Sequence, residues 1–98
     1  MHLVWCPKYR RHILGGRAAA RLIERLGEIG AENDWEIVAR EAMPDRVRIF
    51  VRVGPTDSPV EMVRRFKGRT SGVLRAEFAC LGRGRVLWSP SFFAVSVG

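Results

Sequence analysis

The chain has 98 residues, of which 47% are hydrophobic and 28% charged, and this matches one globular domain with a single core. No apolar run approaches the roughly 20 residues of a membrane-spanning helix, so we expect no membrane partner. Seventeen basic against ten acidic residues give a formal net charge of +7, which favours a polyanionic partner such as nucleic acid.

The N-terminus and the two cysteines bear on the compartment. The apolar residues of the N-terminus precede the basic ones, which is the reverse of a secretory signal. Cys6 and Cys80 lie far apart and fit no metal or redox spacing, so free thiols are expected. We therefore predict a cytoplasmic protein of one domain, residues 1–98, without a cofactor.

The first half of the chain predicts a strand, a helix and a second strand. Residues 3–5 are a short strand that ends before Pro7, and a basic loop follows. Gly15 and Gly16 precede a segment in which apolar residues recur at helical intervals, up to Asn33 and Asp34. This amphipathic helix would bury Ala18, Leu22, Leu26 and Ile29. Residues 35–43 form a weaker strand pattern.

The third strand, residues 46–53, has the clearest pattern in the chain. Its odd positions are Val47, Ile49, Val51 and Val53, all apolar. Its even positions are Arg46, Arg48, Phe50 and Arg52. Strict alternation is typical of a strand with one face on the core and the other in water. Pro44 and Asp45 suit a tight turn, so the second and third strands should form a hairpin.

The second half predicts a helix and further strands. Ser58 as N-cap, Pro59 in the first turn and Glu61 reaching back form a capping box. The helix that follows would bury Val63, Phe66, Val73, Leu74 and Phe78. Residues 86–88 and 92–97 are strand-like. The order β-α-β-β-α-β predicts an α+β, ferredoxin-like sandwich whose antiparallel sheet carries two helices on one face and leaves the other bare.

Several segments of the chain resemble the single-tyrosine HUH transposases, namely the transposase A group of bacterial insertion sequences and their REP-associated relatives. The segments occur in the same order as in that family. Residues 2–5 and 8–11 are similar to the opening strand and basic loop of that family. Residues 43–45 resemble the turn into its metal-binding strand, 58–71 its second helix, and 87–98 its last strand. The resemblance implies a DNA partner, in single-stranded or hairpin form, and a homodimer.

Two departures from the family pattern concern its chemistry. The family carries His-hydrophobic-His on the third strand to hold a divalent metal, and Arg46-Val47-Arg48 stand there. Guanidinium groups have no lone pair to offer, so neither metal binding nor metal-dependent cleavage is expected. The resemblance also implies a nucleophilic tyrosine on a helix beyond the last strand, and we expect the chain to lack that helix. Tyr9, the only tyrosine, matches the basic loop instead.

The first hypothesis is therefore a DNA-binding domain that does not cut. Arg46 and Arg48 lie about 6.5–7 Å apart on one strand face, close to the spacing of adjacent phosphates. Phe50 would offer a surface on which an unpaired base stacks. The predicted binding track comprises Lys8, Tyr9, Arg10, Arg11, Arg46, Arg48, Phe50, Arg52, Arg64, Arg65, Lys67 and Arg69.

Two alternatives stay open. The fold could serve as a metal-independent enzyme or binder of an anionic or aromatic small molecule, held on the bare sheet face. It could also be the remnant of a decaying transposase. Enzymatic activity is left undecided by the residues, apart from the expected absence of DNA strand transfer.

Overall fold

The computed structural model describes residues 1–8, 14–78 and 86–95. In chain order the elements are β1 (His2–Trp5), α1 (Gly16–Glu32), β2 (Glu36–Met43), β3 (Arg46–Arg52), α2 (Pro59–Glu77) and β4 (Phe93–Val95). This confirms the predicted β-α-β-β-α-β order and the α+β class. Within the described ranges no helix is long and apolar enough to cross a membrane.

The four strands form one antiparallel sheet in the order β2-β3-β1-β4. The predicted hairpin of β2 and β3 is present, with Met43 opposite Arg46 at its closed end. Strand β1 lies between β3 and β4, and it pairs Val4 with Arg48 on one side and with Phe93 on the other. This register places residues that are far apart in sequence in single rows across the sheet.

The core lies between the sheet and both helices. The inward residues of β3 are Val47, Ile49 and Val51, and none is more than 1% exposed. They belong to one cluster with buried side chains of β1, α1 and α2. Both helices therefore cover the same sheet face, as the alternation of β3 requires once its odd positions are apolar. The even positions of β3 point away from this core.

The ends of the helices depend on local hydrogen bonds. The Ser58 hydroxyl accepts a bond from the Glu61 backbone N–H at 3.4 Å, and Pro59 occupies the first turn of α2, as predicted. The Glu61 carboxylate lies beside Arg64 and Arg65 instead of reaching back, because α2 places both within one turn of it. At the end of α1 the Asn33 side chain donates to the Ile29 carbonyl at 2.8 Å.

Several predicted boundaries and core positions differ from the observed ones. Residues 86–88 form no strand: Trp88 makes one isolated bridge with Pro7, and its indole packs into the core. Strand β3 ends at Arg52, one residue before the exposed Val53. Strand β4 is described only from Phe93 to Val95. Helix α2 also buries Met62 and Thr70, which the apolar pattern did not single out.

Gly30 marks a close approach between α1 and β2. A Cβ added there would meet Ile37 Cδ1 at 2.5 Å and the Trp35 carbonyl oxygen at 3.2 Å. We expect Gly30→Ala to lower the free energy of unfolding by about 1–3 kcal/mol, because the core must shift to admit the methyl group. Urea denaturation followed by circular dichroism would measure this change.

Gly72 provides the matched control for this prediction. It lies inside α2, and a Cβ there would meet nothing within 4 Å. Gly72→Ala should raise the free energy of unfolding by about 0.5–1 kcal/mol, because alanine restricts the unfolded chain without a steric cost in the helix. If Gly30→Ala were as stable as Gly72→Ala, the close packing at Gly30 would be refuted.

Candidate nucleic-acid interface

The sheet face opposite the helices carries the even positions of β3. Arg46, Arg48 and Arg52 are exposed, while Phe50 is half-buried. The register continues these positions across the sheet. One row contains Glu41, Arg48, Val4 and Phe93, and the next contains Ala39, Phe50, His2 and Val95. We call this surface the bare face.

A groove of about 520 Å³ lies on the bare face next to two of these arginines. Both Arg46 and Arg48 line it, with Phe93 of β4 on the other side. Neighbouring strands are about 4.8 Å apart, so two strand spacings separate Arg48 from Phe93 by about 10 Å at Cα. Its remaining walls come from Val4, Trp5, Cys6, Ser91 and Phe92. The groove thus combines guanidinium groups with exposed aromatic surface.

The arginines of the bare face differ in how far their charge is already compensated. Arg46 donates from Nε to Asp45 Oδ1 at 3.2 Å, and this hydrogen bond raises the pKa of the Arg46 guanidinium. Arg52 Nε lies 3.5 Å from Glu36 Oε2, and both side chains are largely exposed. Arg48 forms no hydrogen bond or ion pair with the residues that the structure describes. With respect to the described residues, the Arg48 guanidinium is therefore available to an incoming anion.

The two groove arginines limit the chemistry of the site. A guanidinium group presents five N–H donors and no acceptor, so it can clamp a phosphate but cannot ligate a metal ion. Among residues 1–8, 14–78 and 86–95, no cluster of three or more His, Cys, Asp or Glu side chains could hold a metal. The arrangement fits recognition of an oxyanion.

Phe50 is less available than its position on β3 predicts. The His2 ring lies against it edge-on, with ring centroids 4.8 Å apart. Phe93 is 63% exposed and lines the groove, and sequence reasoning missed it. No alternation singles it out, because residues 92–95 are all apolar and all three residues of β4 are exposed.

The basic residues predicted on the second helix do not join the bare face. Arg65 donates to the Asn33 side chain, and Arg69 pairs with Glu32 at the end of α1. Arg64 is 75% exposed and lies 3.6 Å from Glu61. Helix α2 covers the opposite side of the sheet, so these three side chains form a separate surface. The structure does not bring the whole predicted track together.

Lys67 comes closest to connecting the two surfaces. Its ammonium group donates to the carbonyl oxygens of Ser89 at 2.7 Å and Ser91 at 2.9 Å, and Ser91 lines the groove. Partial burial lowers the pKa of Lys67.

The structure describes only the first residue of the predicted basic loop. The Lys8 backbone N–H donates to the Leu87 carbonyl oxygen, whereas Tyr9, Arg10 and Arg11 lie outside the described residues.

Known proteins of similar sequence cover almost the whole chain. It is 32% identical over 99 residues to the ISDra2 transposase TnpA of Deinococcus radiodurans, which covers 98% of this chain and 71% of that protein. It is 27% identical over 103 residues to the transposase for insertion sequence element IS200 of Salmonella typhimurium. That match covers 99% of this chain but only 66% of the Salmonella protein.

Two solved structures share the fold. A crystal structure of a protein assigned as a transposase from Deinococcus radiodurans R1 superposes with a TM-score of 0.92 at 32% identity, covering 99% of this chain and 77% of that one. A REP-associated tyrosine transposase bound to a REP hairpin superposes with a TM-score of 0.68 at 18% identity, covering 94% and 52%. The latter likeness concerns the fold alone.

Residues 1–98 also match the family described as "Transposase IS200 like". This match and the 32% identity to the ISDra2 transposase agree with the antiparallel sheet and its two helices. The chain belongs to the family of IS200-like transposases.

Proposed function

We propose that this chain binds DNA, in single-stranded or hairpin form, through the groove of the bare face and does not cleave it. The observation that carries the proposal is the pair Arg46 and Arg48, which line one groove and of which Arg48 is unpaired among the described residues. Phosphate oxygens are the natural partners of such guanidinium groups.

Exposed aromatic surface beside the arginines favours unpaired over fully paired DNA. Phe93 offers a ring on which a base can stack, and it lies in the same row of the sheet as Arg48, about 10 Å away at Cα. The hairpin-bound REP-associated transposase has the same fold, which supports a hairpin as one form of the DNA. In a duplex the base faces are stacked on one another, so Phe93 would contribute less to its binding free energy than to that of a single strand.

The absence of cleavage follows from the donor set of the groove. In the family resemblance Arg46 and Arg48 occupy the positions of the metal-binding histidines. Two permanently charged guanidinium groups repel a divalent cation and supply no electron pair to hold it. They can neutralise a phosphate, but they cannot activate a water molecule or polarise a leaving group as a bound metal does.

One experiment tests binding and cleavage together. End-labelled single strands, hairpins and duplexes are incubated with the protein and Mg²⁺ or Mn²⁺, and each sample is divided between a native and a denaturing gel. We expect retarded complexes with single strands and hairpins, and no shortened product or covalent adduct. Nicked DNA or an adduct would refute the inactive site, and equal retardation of duplexes would refute the preference for unpaired bases.

We also propose that the protein acts as a homodimer in the cytoplasm, where it would meet its DNA partner. Among the described strands β4 lies at an edge of the sheet, and its Phe93 and Val95 are exposed by 63% and 39%. A free edge strand with apolar side chains favours pairing with a second copy. One chain has a mass of 11.1 kDa, and sedimentation velocity should give twice that value. A species with the mass of one chain at every protein concentration would refute the dimer.

A further inference from the structure

A second cavity lies between helix α2 and the segment of residues 86–92, and Phe92 lines both this cavity and the groove of the bare face. Its volume is about 420 Å³, within the range of ligand pockets in proteins. The walls that α2 and the facing segment present are mainly apolar. The apolar lining residues are Val60, Val63, Val86, Trp88, Pro90 and Phe92.

Two of these apolar residues are exposed to solvent. Val60 is 55% and Val86 60% exposed, and both line the cavity. Trp88 also lines the cavity, and its indole N–H donates to the Thr70 hydroxyl, so the rest of the ring offers hydrocarbon surface. Exposed apolar surface in a cavity favours an occupant with an apolar body.

The polar side chains of the cavity carry one sign of charge. Arg64 and Lys67 line it, and no acidic residue is found among the lining residues that the structure describes. Lys67 uses two N–H donors on the Ser89 and Ser91 carbonyls, and an ammonium group has three. Arg64 pairs with Glu61 only at 3.6 Å and with 75% of its side chain exposed, so this weak pair is easily exchanged.

Gly68 keeps the helix side of the cavity open. A Cβ there would meet no atom within 4 Å, although glycine inside a helix costs roughly 1 kcal/mol relative to alanine. No contact of the described chain therefore requires glycine at this position. An occupant that approaches the helix backbone would require it.

We propose that this cavity binds a small monoanion with an apolar body, namely a carboxylate on a hydrocarbon chain or an aromatic ring. The body contacts Trp88 and the valines, and the carboxylate lies between Arg64 and Lys67. A single anionic group matches the limited free donor capacity at the mouth, whereas a polyanionic strand would leave further phosphates over valine and proline. The cavity shares Phe92 with the groove of the bare face, but neither Arg46 nor Arg48 lines it.

Binding is tested with decanoate and its uncharged analogue decanamide. The indole N–H resonance of Trp88, assigned with Trp88→Phe, is followed by two-dimensional NMR during each titration. We expect a saturable shift with decanoate and a dissociation constant below about 1 mM. Decanamide should bind at least about fivefold more weakly, because it lacks the charge. Absence of saturation, or equal affinity for decanamide, would overturn the proposal.

A pair of glycine variants locates the ligand. Gly68 and Gly72 are one turn apart in α2 and both have open space around them, but only Gly68 lines the cavity. Gly68→Leu should weaken decanoate binding by at least about tenfold because the leucine fills the site, and Gly72→Leu should leave it unchanged. Equal effects of both variants would overturn the assignment.

Two further measurements keep the test decisive if Gly68→Leu fails to fold. Arg64→Gln changes one exposed side chain and should weaken decanoate but not decanamide, and equal weakening of both would count against the anion site. The Trp88 resonance is also recorded at several protein concentrations without ligand. A shift that follows protein concentration and not decanoate would assign the cavity to a second copy of the chain and overturn the proposal.

Discussion

Replacing both groove arginines, Arg46→Ala with Arg48→Ala, should weaken binding of single-stranded DNA by at least about tenfold at low salt. Each guanidinium that contacts a phosphate releases counterions, so the slope of log affinity against log salt should also fall by about 0.7 for each lost contact with a single strand. Fluorescence anisotropy of a labelled oligonucleotide, repeated at several salt concentrations, measures both quantities.

The two arginines should contribute unequally. Arg46 already donates to Asp45, so a phosphate must replace an existing partner, whereas Arg48 has none among the described residues. Arg48→Ala alone should therefore cause most of the loss. For Arg46, the cost of breaking its hydrogen bond to Asp45 offsets part of the binding free energy gained from the phosphate.

The control must lower the net charge equally without touching the groove. Arg65→Ala with Arg69→Ala removes two positive charges from α2, where both side chains pair with residues of this chain. We expect this variant to bind single-stranded DNA within about threefold of the unmodified protein, because only long-range charge is lost. If the two double variants lost affinity equally, binding would follow net charge and the groove would not be the site.

Phe66→Ala should lower the free energy of unfolding by about 3–5 kcal/mol, the range seen when a buried aromatic ring is removed. Phe66 has no exposed surface and stacks on Trp5, with ring centroids 5.9 Å apart and planes inclined by 17°. It also contacts Trp35 in a tilted arrangement at 5.2 Å. Removing the ring leaves a cavity between α2, β1 and the start of β2 that these large neighbours cannot fill.

Denaturation with guanidinium chloride or urea would measure this loss. The unmodified protein and the variant are analysed with the same dependence of the unfolding free energy on denaturant concentration. Val60→Ala is the control in the same helix: Val60 is 55% exposed, and its truncation should change stability by no more than about 0.5 kcal/mol. Phe66→Leu keeps most of the volume and should cost less than Phe66→Ala. A loss below about 1 kcal/mol for Phe66→Ala would mean that the aromatic cluster is not a central part of the core.

The order of elements and the faces of β3 could be predicted from the residues alone. Alternation of apolar side chains acts over neighbouring residues, and it places Val47, Ile49 and Val51 on one side whatever the rest of the chain does. The start of α2 is equally local, because Ser58 and Pro59 form the cap within one turn. The family resemblance rests on the same short segments, and the comparisons confirm it.

The composition of the candidate site depended instead on which strands became neighbours. Phe93 belongs to the groove only because β4 pairs with β1, and β1 with β3, which sets Phe93 in the row of Arg48. Likewise, the compensation of Arg46 and the separation of Arg65 and Arg69 from the bare face follow from the hairpin and from the packing of α2. Strand pairing and layer packing join residues about 45 positions apart, from Arg48 to Phe93, and no periodicity within a segment carries that information. Local stereochemistry thus assigns each side chain to a face, while long-range pairing selects the side chains that share a site.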